Sequence, residues 1–216
     1  MTNEELVKGI ANNTISLGHI TSEQIEELIE KEISSEYILR CTDYTIRSLI
    51  AMNDKWAEYF ANDSRREVRK EVAKNKRCLK ELAKDVSYEV RVEVAKAGFS
   101  NLELATDSDY RVRMAVASMG LFGETLVKDK DYRVRASLAD AGVMLDILKD
   151  DENDNVRSRV ASKGVYPEQF SKDKAIIVRN NIANFENGTL NLTHDTNPMV
   201  RSTAKIASNL EKYAVK

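Results

Sequence analysis

The chain has 216 residues, 42% apolar and 31% charged, and its 33 basic and 35 acidic side chains leave a formal charge of −2. No run of 18 apolar residues occurs, which excludes a membrane-spanning helix, and two prolines and eight glycines are too few for a turn-rich β-sandwich. The opening stretch carries early acids and no apolar segment of signal-peptide length, so a soluble cytoplasmic protein is predicted. Cys41 and Cys78 are far apart, and His19 and His194 stand alone, so neither a metal site nor a disulfide framework is predicted.

In chain order, residues 1–40 come first, with eight acids against three bases. Within them "TSEQIEELIEKEI" starts at Thr21 with Gln24 three residues on, a capping-box pattern. Ile25, Leu28, Ile29 and Ile33 form its apolar face, so an acidic N-terminal helical cap is predicted over 1–40. From residue 41 a strict period begins. Val-Arg pairs stand at 68–69, 90–91, 112–113, 134–135, 156–157, 178–179 and 200–201, with Ile46-Arg47 one period earlier, each 22 residues from the next. Five residues before each Val stands Asp63, Asp85, Asp107, Asp129, Asp151, Asp173 or Asp195, and only the first unit differs, with Cys41 there. An aliphatic residue and usually an alanine follow four and five after the Val, and Phe60, Leu82, Leu104, Leu126, Leu148, Phe170 or Leu192 fourteen after it. Such a period means stacked supersecondary units.

Each slot has a physical reason. The Asp is predicted to cap the helix that follows it. Gly98, Gly120, Gly142 and Gly164 fall where that helix should stop in a left-handed conformation. The remainder of each unit has room for one short helix, α or 3₁₀. With the Val at the origin of a helical wheel of about 100° per residue, the Arg lies about 100° round, inside the apolar arc, and needs a partner. Its own Asp lies six residues back and about 240° round, so the Asp of an adjacent unit is predicted to pair with it, forming a ladder. A device repeated in every unit is a stacking device, so no catalytic residue is assigned to these pairs. Beyond residue 207, residues 208–216 are predicted to end a solvated closing helix that gains Lys205, Lys212 and Lys216.

The string Asp-x-Asp-x-x-Val-Arg-x-x-Val-Ala, with Leu-x-x-Asp after it, resembles the leucine-rich repeat variant and the broader HEAT-like class over about residues 36–207. The opening of "DTNPMVR" at Asp195 is similar to the variant's usual one. The resemblance implies an all-α, right-handed solenoid of about eight repeats, each a longer helix and a short one. This chain departs from the family in a shorter period and in lacking most of its prolines. The family implies interaction scaffolds rather than any one activity.

Information about a partner then lies in the slots that vary. The two positions before the Val read Tyr44, Arg66, Tyr88, Tyr110, Tyr132, Asp154, Ile176, Pro198, and Thr45, Glu67, Glu89, Arg111, Arg133, Asn155, Ile177, Met199. The first slot sits at the edge of the buried arc and the second faces out, so Tyr88, Tyr110, Arg111, Tyr132 and Arg133 are predicted to form a binding ridge. Arg111 and Arg133 face outward with no structural duty to perform. Ile177 and Met199 are predicted to be exposed near the C-terminal end, where a contiguous apolar patch signals contact. The unit from Asp63 to Lys84 carries nine bases against four acids, and Arg65, Arg66, Lys70, Lys74, Lys76 and Arg77 make it a candidate for phosphate or an acidic partner. Trp56 shares a slot with Phe122, Met144 and Tyr166, which points to packing.

The leading expectation is a non-enzymatic scaffold that binds another protein, with no cofactor, no metal and no small-molecule substrate. A second reading is nucleic-acid recognition, in the manner of HEAT-like alkylation-repair DNA glycosylases, which the chain resembles in size and stacking. That role needs a basic groove along several units, whereas the positive charge here concentrates in one. A third reading is a mobile-element inhibitor of a larger host complex.

Overall fold

The computed structural model describes residues 42–52, 56–185 and 192–214, with Glu5, Lys8, Gly9, Asn12 and Thr14 near the N-terminus. The predicted cap from Thr21 to Ile33, with His19, Cys41 and the side chains of Lys212 and Lys216, lies outside the described residues. Every regular element among the described residues is helical, and none is long and apolar enough to cross a membrane. The chain divides into two compact units, Met1–Ser100 and Asn101–Lys216. The first contains α1 (Tyr44–Ala51), α2 (Ala57–Phe60), α3 (Arg66–Lys74), α4 (Leu79–Leu82) and α5 (Tyr88–Lys96). The second contains α6 (Leu102–Ala105), α7 (Tyr110–Ser118), α8 (Gly123–Leu126), α9 (Tyr132–Asp140), α10 (Leu145–Leu148), α11 (Asp154–Ala161), α12 (Pro167–Phe170), α13 (Ile176–Ile182) and α14 (Pro198–Ala214).

The alternation of two-turn and one-turn helices follows from the slots. In the longer helices from α1 to α13 the Val (Ile46 in α1), the aliphatic residue four later and the next residue share one face, and all three are buried, as with Val68, Val72 and Ala73 or Val134, Leu138 and Ala139. The short helix contributes one large plug per unit, and Phe60, Leu82, Leu104, Leu126, Leu148, Phe170 and Leu192 are all at most 2% exposed. Longer helices pack on their successors: α1 on α3 and α3 on α5 in the first unit, and α7, α9, α11, α13 and α14 in sequence in the second. Alanine on that face lets the backbones approach. The short helices are single α-turns, which selects between the two short-helix types open from sequence.

The period-defining aspartate does not cap its helix. The cap stands two residues later, at Asp43, Arg65, Ser87, Asp109, Asp131, Asn153 and Ala175, in extended backbone. Asp63, Asp85, Asp107, Asp129, Asp151, Asp173 and Asp195 instead each accept, through Oδ1, the amide two residues on, at 2.7–2.9 Å. That Asx-turn directs the chain into the helix, while the carboxylates of Asp63, Asp85, Asp129, Asp151, Asp173 and Asp195 are each held by an arginine of the preceding repeat.

The predicted ladder is present, and each arginine pairs with the aspartate of the repeat that follows it. Arg69 donates from Nε and Nη2 to both oxygens of Asp85 at 2.5 and 2.8 Å. Arg113 does the same to Asp129 at 2.6 and 2.9 Å, Arg135 to Asp151, Arg157 to Asp173 and Arg179 to Asp195. Arg47 donates to Asp63 through Nε and Nη2. Each pair is 16 residues apart. The third arm, Nη1, donates back to the carbonyl of the arginine's own aspartate six residues earlier, at 2.6–2.8 Å from Arg69, Arg91, Arg113, Arg135, Arg157 and Arg179. One guanidinium thus ties a turn, a helix and the next turn together, and Arg113, Arg135 and Arg157 are buried. The paired carboxylate raises the pKa of Arg113, so it stays charged at any accessible pH.

Gly98, Gly120, Gly142 and Gly164 are left-handed as predicted, with φ from +71° to +92°. In the repeat before Gly98 the same role falls to Lys76, at φ +60°. Lys76 and Arg77 amides return to the Ala73 and Val72 carbonyls, closing a Schellman turn that a side chain strains. Lys76→Gly is therefore expected to stabilise the protein by about 1 kcal/mol, measured as a higher Tm.

Candidate interaction surface

The predicted ridge residues occupy the first turn of successive longer helices, where the Asx-turn aims them out of the core. Tyr110 opens α7 half-buried and Tyr132 opens α9 at 40% exposed. Tyr88, at the start of α5, is half-buried and belongs to the first unit. Arg111 and Arg133 do face outward, but each has an intramolecular partner that sequence reasoning did not assign. Arg111 meets the capping Asp109 through Nε at 2.9 Å and Nη2 at 2.7 Å, and Arg133 meets Asp131 at the same two distances. The carboxylate of each cap also accepts the arginine's own backbone amide. The signal was present as Asp-Tyr-Arg, twice, with acid and base two residues apart.

The two clamps converge on one ring. The Arg133 guanidinium lies 3.6 Å from the centroid of Tyr110 and that of Arg111 lies 5.7 Å from it. A cation this close to an aromatic face is attracted by the ring's quadrupole. Hydrogen bonding to Asp131 raises the pKa of Arg133, and Arg133 in turn lowers that of Asp131. Between Ser108–Tyr110 on one side and Lys130–Arg133 on the other lies an open groove of about 550 Å³. Its walls are a stacked tyrosine, a clamped arginine and Lys130, with the buried Arg113 at its base.

No protein-family model matches the chain, and no curated protein does. Assignment therefore rests on the residues themselves.

The other predicted surfaces lie elsewhere. Ile177 is 47% exposed on α13 and Met199 is 56% exposed on α14, accompanied by Ile176 at 43%. The basic residues of the second repeat are distributed along α3 and the turn after it. Arg65 is the capping residue and its guanidinium lies 5.8 Å from the centroid of the Tyr44 ring. Arg66, Lys70 and Lys74 follow at four-residue spacing along one stripe, and Lys76 and Arg77 lie exposed in the turn. That stripe is partly compensated: Arg66 meets Glu67 at 3.1 Å and Glu89 at 3.2 Å, and Lys74 meets Glu71 at 2.7 Å. Trp56 is buried beside α2, in keeping with packing. Among the described residues no group of three or more His, Cys, Asp or Glu side chains is arranged to hold a metal.

Proposed function

We propose that the chain is a right-handed α-solenoid of about eight 22-residue repeats, a non-enzymatic scaffold whose variable slots bind another protein. The stacking reading is supported by the recurrence of one rung geometry and one plug residue in successive repeats. One observation carries the binding reading: Tyr110 and Arg133 are stacked and held in an exposed position beside an open groove. Tyrosine and arginine are the residues that anchor interfaces most often, and a side chain already fixed by Asp131 loses little freedom on binding.

The test is affinity capture from native-host lysate, with and without nuclease, alongside a Tyr110→Ala/Arg111→Glu/Arg133→Glu variant. A protein captured in both conditions by the wild type and lost with the variant is the expected result. Capture abolished by nuclease would replace this reading with nucleic-acid binding, and equal capture by the variant would move the surface to Ile177 and Met199.

A further inference from the structure

Among the described residues no carboxylate meets Nε and Nη2 of Arg201, the last arginine of the Val-Arg series. Arg201, on α14, donates from Nη1 to the carbonyls of Asp195 at 2.6 Å and Thr196 at 2.9 Å, as its counterparts do in earlier repeats. Its guanidinium is therefore held in the rung orientation. In the six described rungs Nε and Nη2 meet an aspartate 16 residues on. The nearby Asp195 carboxylate already accepts from Arg179 and from the Asn197 amide. Where α7, α9, α11 and α13 end at Ser118, Asp140, Ala161 and Ile182, α14 continues to Ala214, about 20 Å of helix beyond Arg201.

The face around Arg201 also differs from its counterparts. Ala161 and Ala183 are fully buried in their repeats, and Lys205 stands in their slot, exposed and one turn from Arg201. Ser158 is buried in α11, and its counterpart Ser202 is exposed. Met199 and Ile206, at 56% and 59% exposed, lie together on the far flank of the helix, about 140–160° round from Arg201. Lysine in place of the stacking alanine disfavours another repeat of the same kind. Two cations on one flank, one of them with a fork that takes a carboxylate in every described rung, suit an acidic protein segment.

We infer that the Arg201–Lys205 face of α14 is a docking site for an acidic protein segment, one of whose carboxylates completes the rung at Nε and Nη2 of Arg201. The carboxylate takes the bidentate geometry that Asp195 takes on Arg179, and Lys205 pairs with a second acid of the segment. This site stands apart from the Tyr110 groove, so either can fail without the other.

The test uses the full chain and NMR of arginine Nε–H groups, with the Arg201 resonance assigned by its loss in Arg201→Lys. The probe is an acetylated, amidated peptide with the sequence of residues 150–155, Asp-Asp-Glu-Asn-Asp-Asn. Its version with every acid replaced by the amide and a single-stranded oligothymidylate complete the set. The expected result is a saturable shift of the Arg201 Nε–H by the acidic peptide alone, with affinity weakened about tenfold in Arg201→Lys, which loses the bidentate fork. Lys205→Glu, which leaves the fork intact, is expected to weaken it as well. No shift at millimolar peptide, an equal shift from the amide peptide, or a stronger response to oligothymidylate would overturn the assignment.

Discussion

Replacing Asp129 with alanine is expected to cost about 3–5 kcal/mol of stability, more than any surface substitution in the chain, because it leaves the Arg113 guanidinium buried without a carboxylate. Both side chains of that rung are under a tenth exposed, at 7% and 6%, so water cannot replace the lost partner. The pair itself contributes far less than that figure, since burying two charges offsets most of their attraction. The double variant Arg113→Met/Asp129→Asn removes both charges and keeps an oxygen to accept the Asp131 amide. It is expected within about 1 kcal/mol of wild type by denaturant unfolding followed by circular dichroism. A double variant as unstable as Asp129→Ala would mean that the rung stabilises directly and is not chiefly a device that fixes how repeats stack.

The second large effect is expected in acid. Hydrogen bonding to Arg179 and to the Asn197 amide lowers the pKa of Asp195. Burial pushes the Asp173 pKa up, but hydrogen bonds from Arg157 and the Ala175 amide outweigh it, so the net shift is again downward. Asp131 is lowered by Arg133. A carboxylate depressed in the folded state contributes stability that is fully present above its unfolded pKa of about 3.9 and is lost as pH falls through the folded value. Tm is therefore expected to hold between pH 7 and about 5 and to fall steeply below about 4. Arg157 and Arg179 stay charged throughout, so acid removes the carboxylate partner from these two rungs together. A Tm unchanged at pH 3 would show that the rungs are dispensable to the fold.

Much of this was legible because each rung is a spacing argument. An Arg on the buried arc with its own Asp on the far side of the wheel points to an adjacent repeat for its partner, and Arg113 and Asp129 are so joined. Exposure of Ile177 and Met199 followed from the same wheel. The capping position did not, because a single aspartate satisfies the usual cap preference; only the Asx-turn at Asp129 moves the helix start to Tyr132 and makes Asp131 the cap. The left-handed backbone at Phe122, Met144 and Tyr166 was also illegible. These residue types disfavour that conformation, and packing of the short helices imposes it. At the candidate surface, side-chain type placed Tyr110 and Arg133, but their stacking depends on χ angles that no period encodes.

The 16-residue reach of each rung has a kinetic consequence. The contacts that tie one helix to the next close loops of a length that forms in well under a millisecond, and the packed helix pairs are near neighbours in sequence. Contact order of this kind goes with folding in microseconds to milliseconds, without the slow search that long-range strand pairing demands. A segment emerging from the ribosome can dock on the one before it as soon as its aspartate arrives, so order grows along the chain at the pace of synthesis.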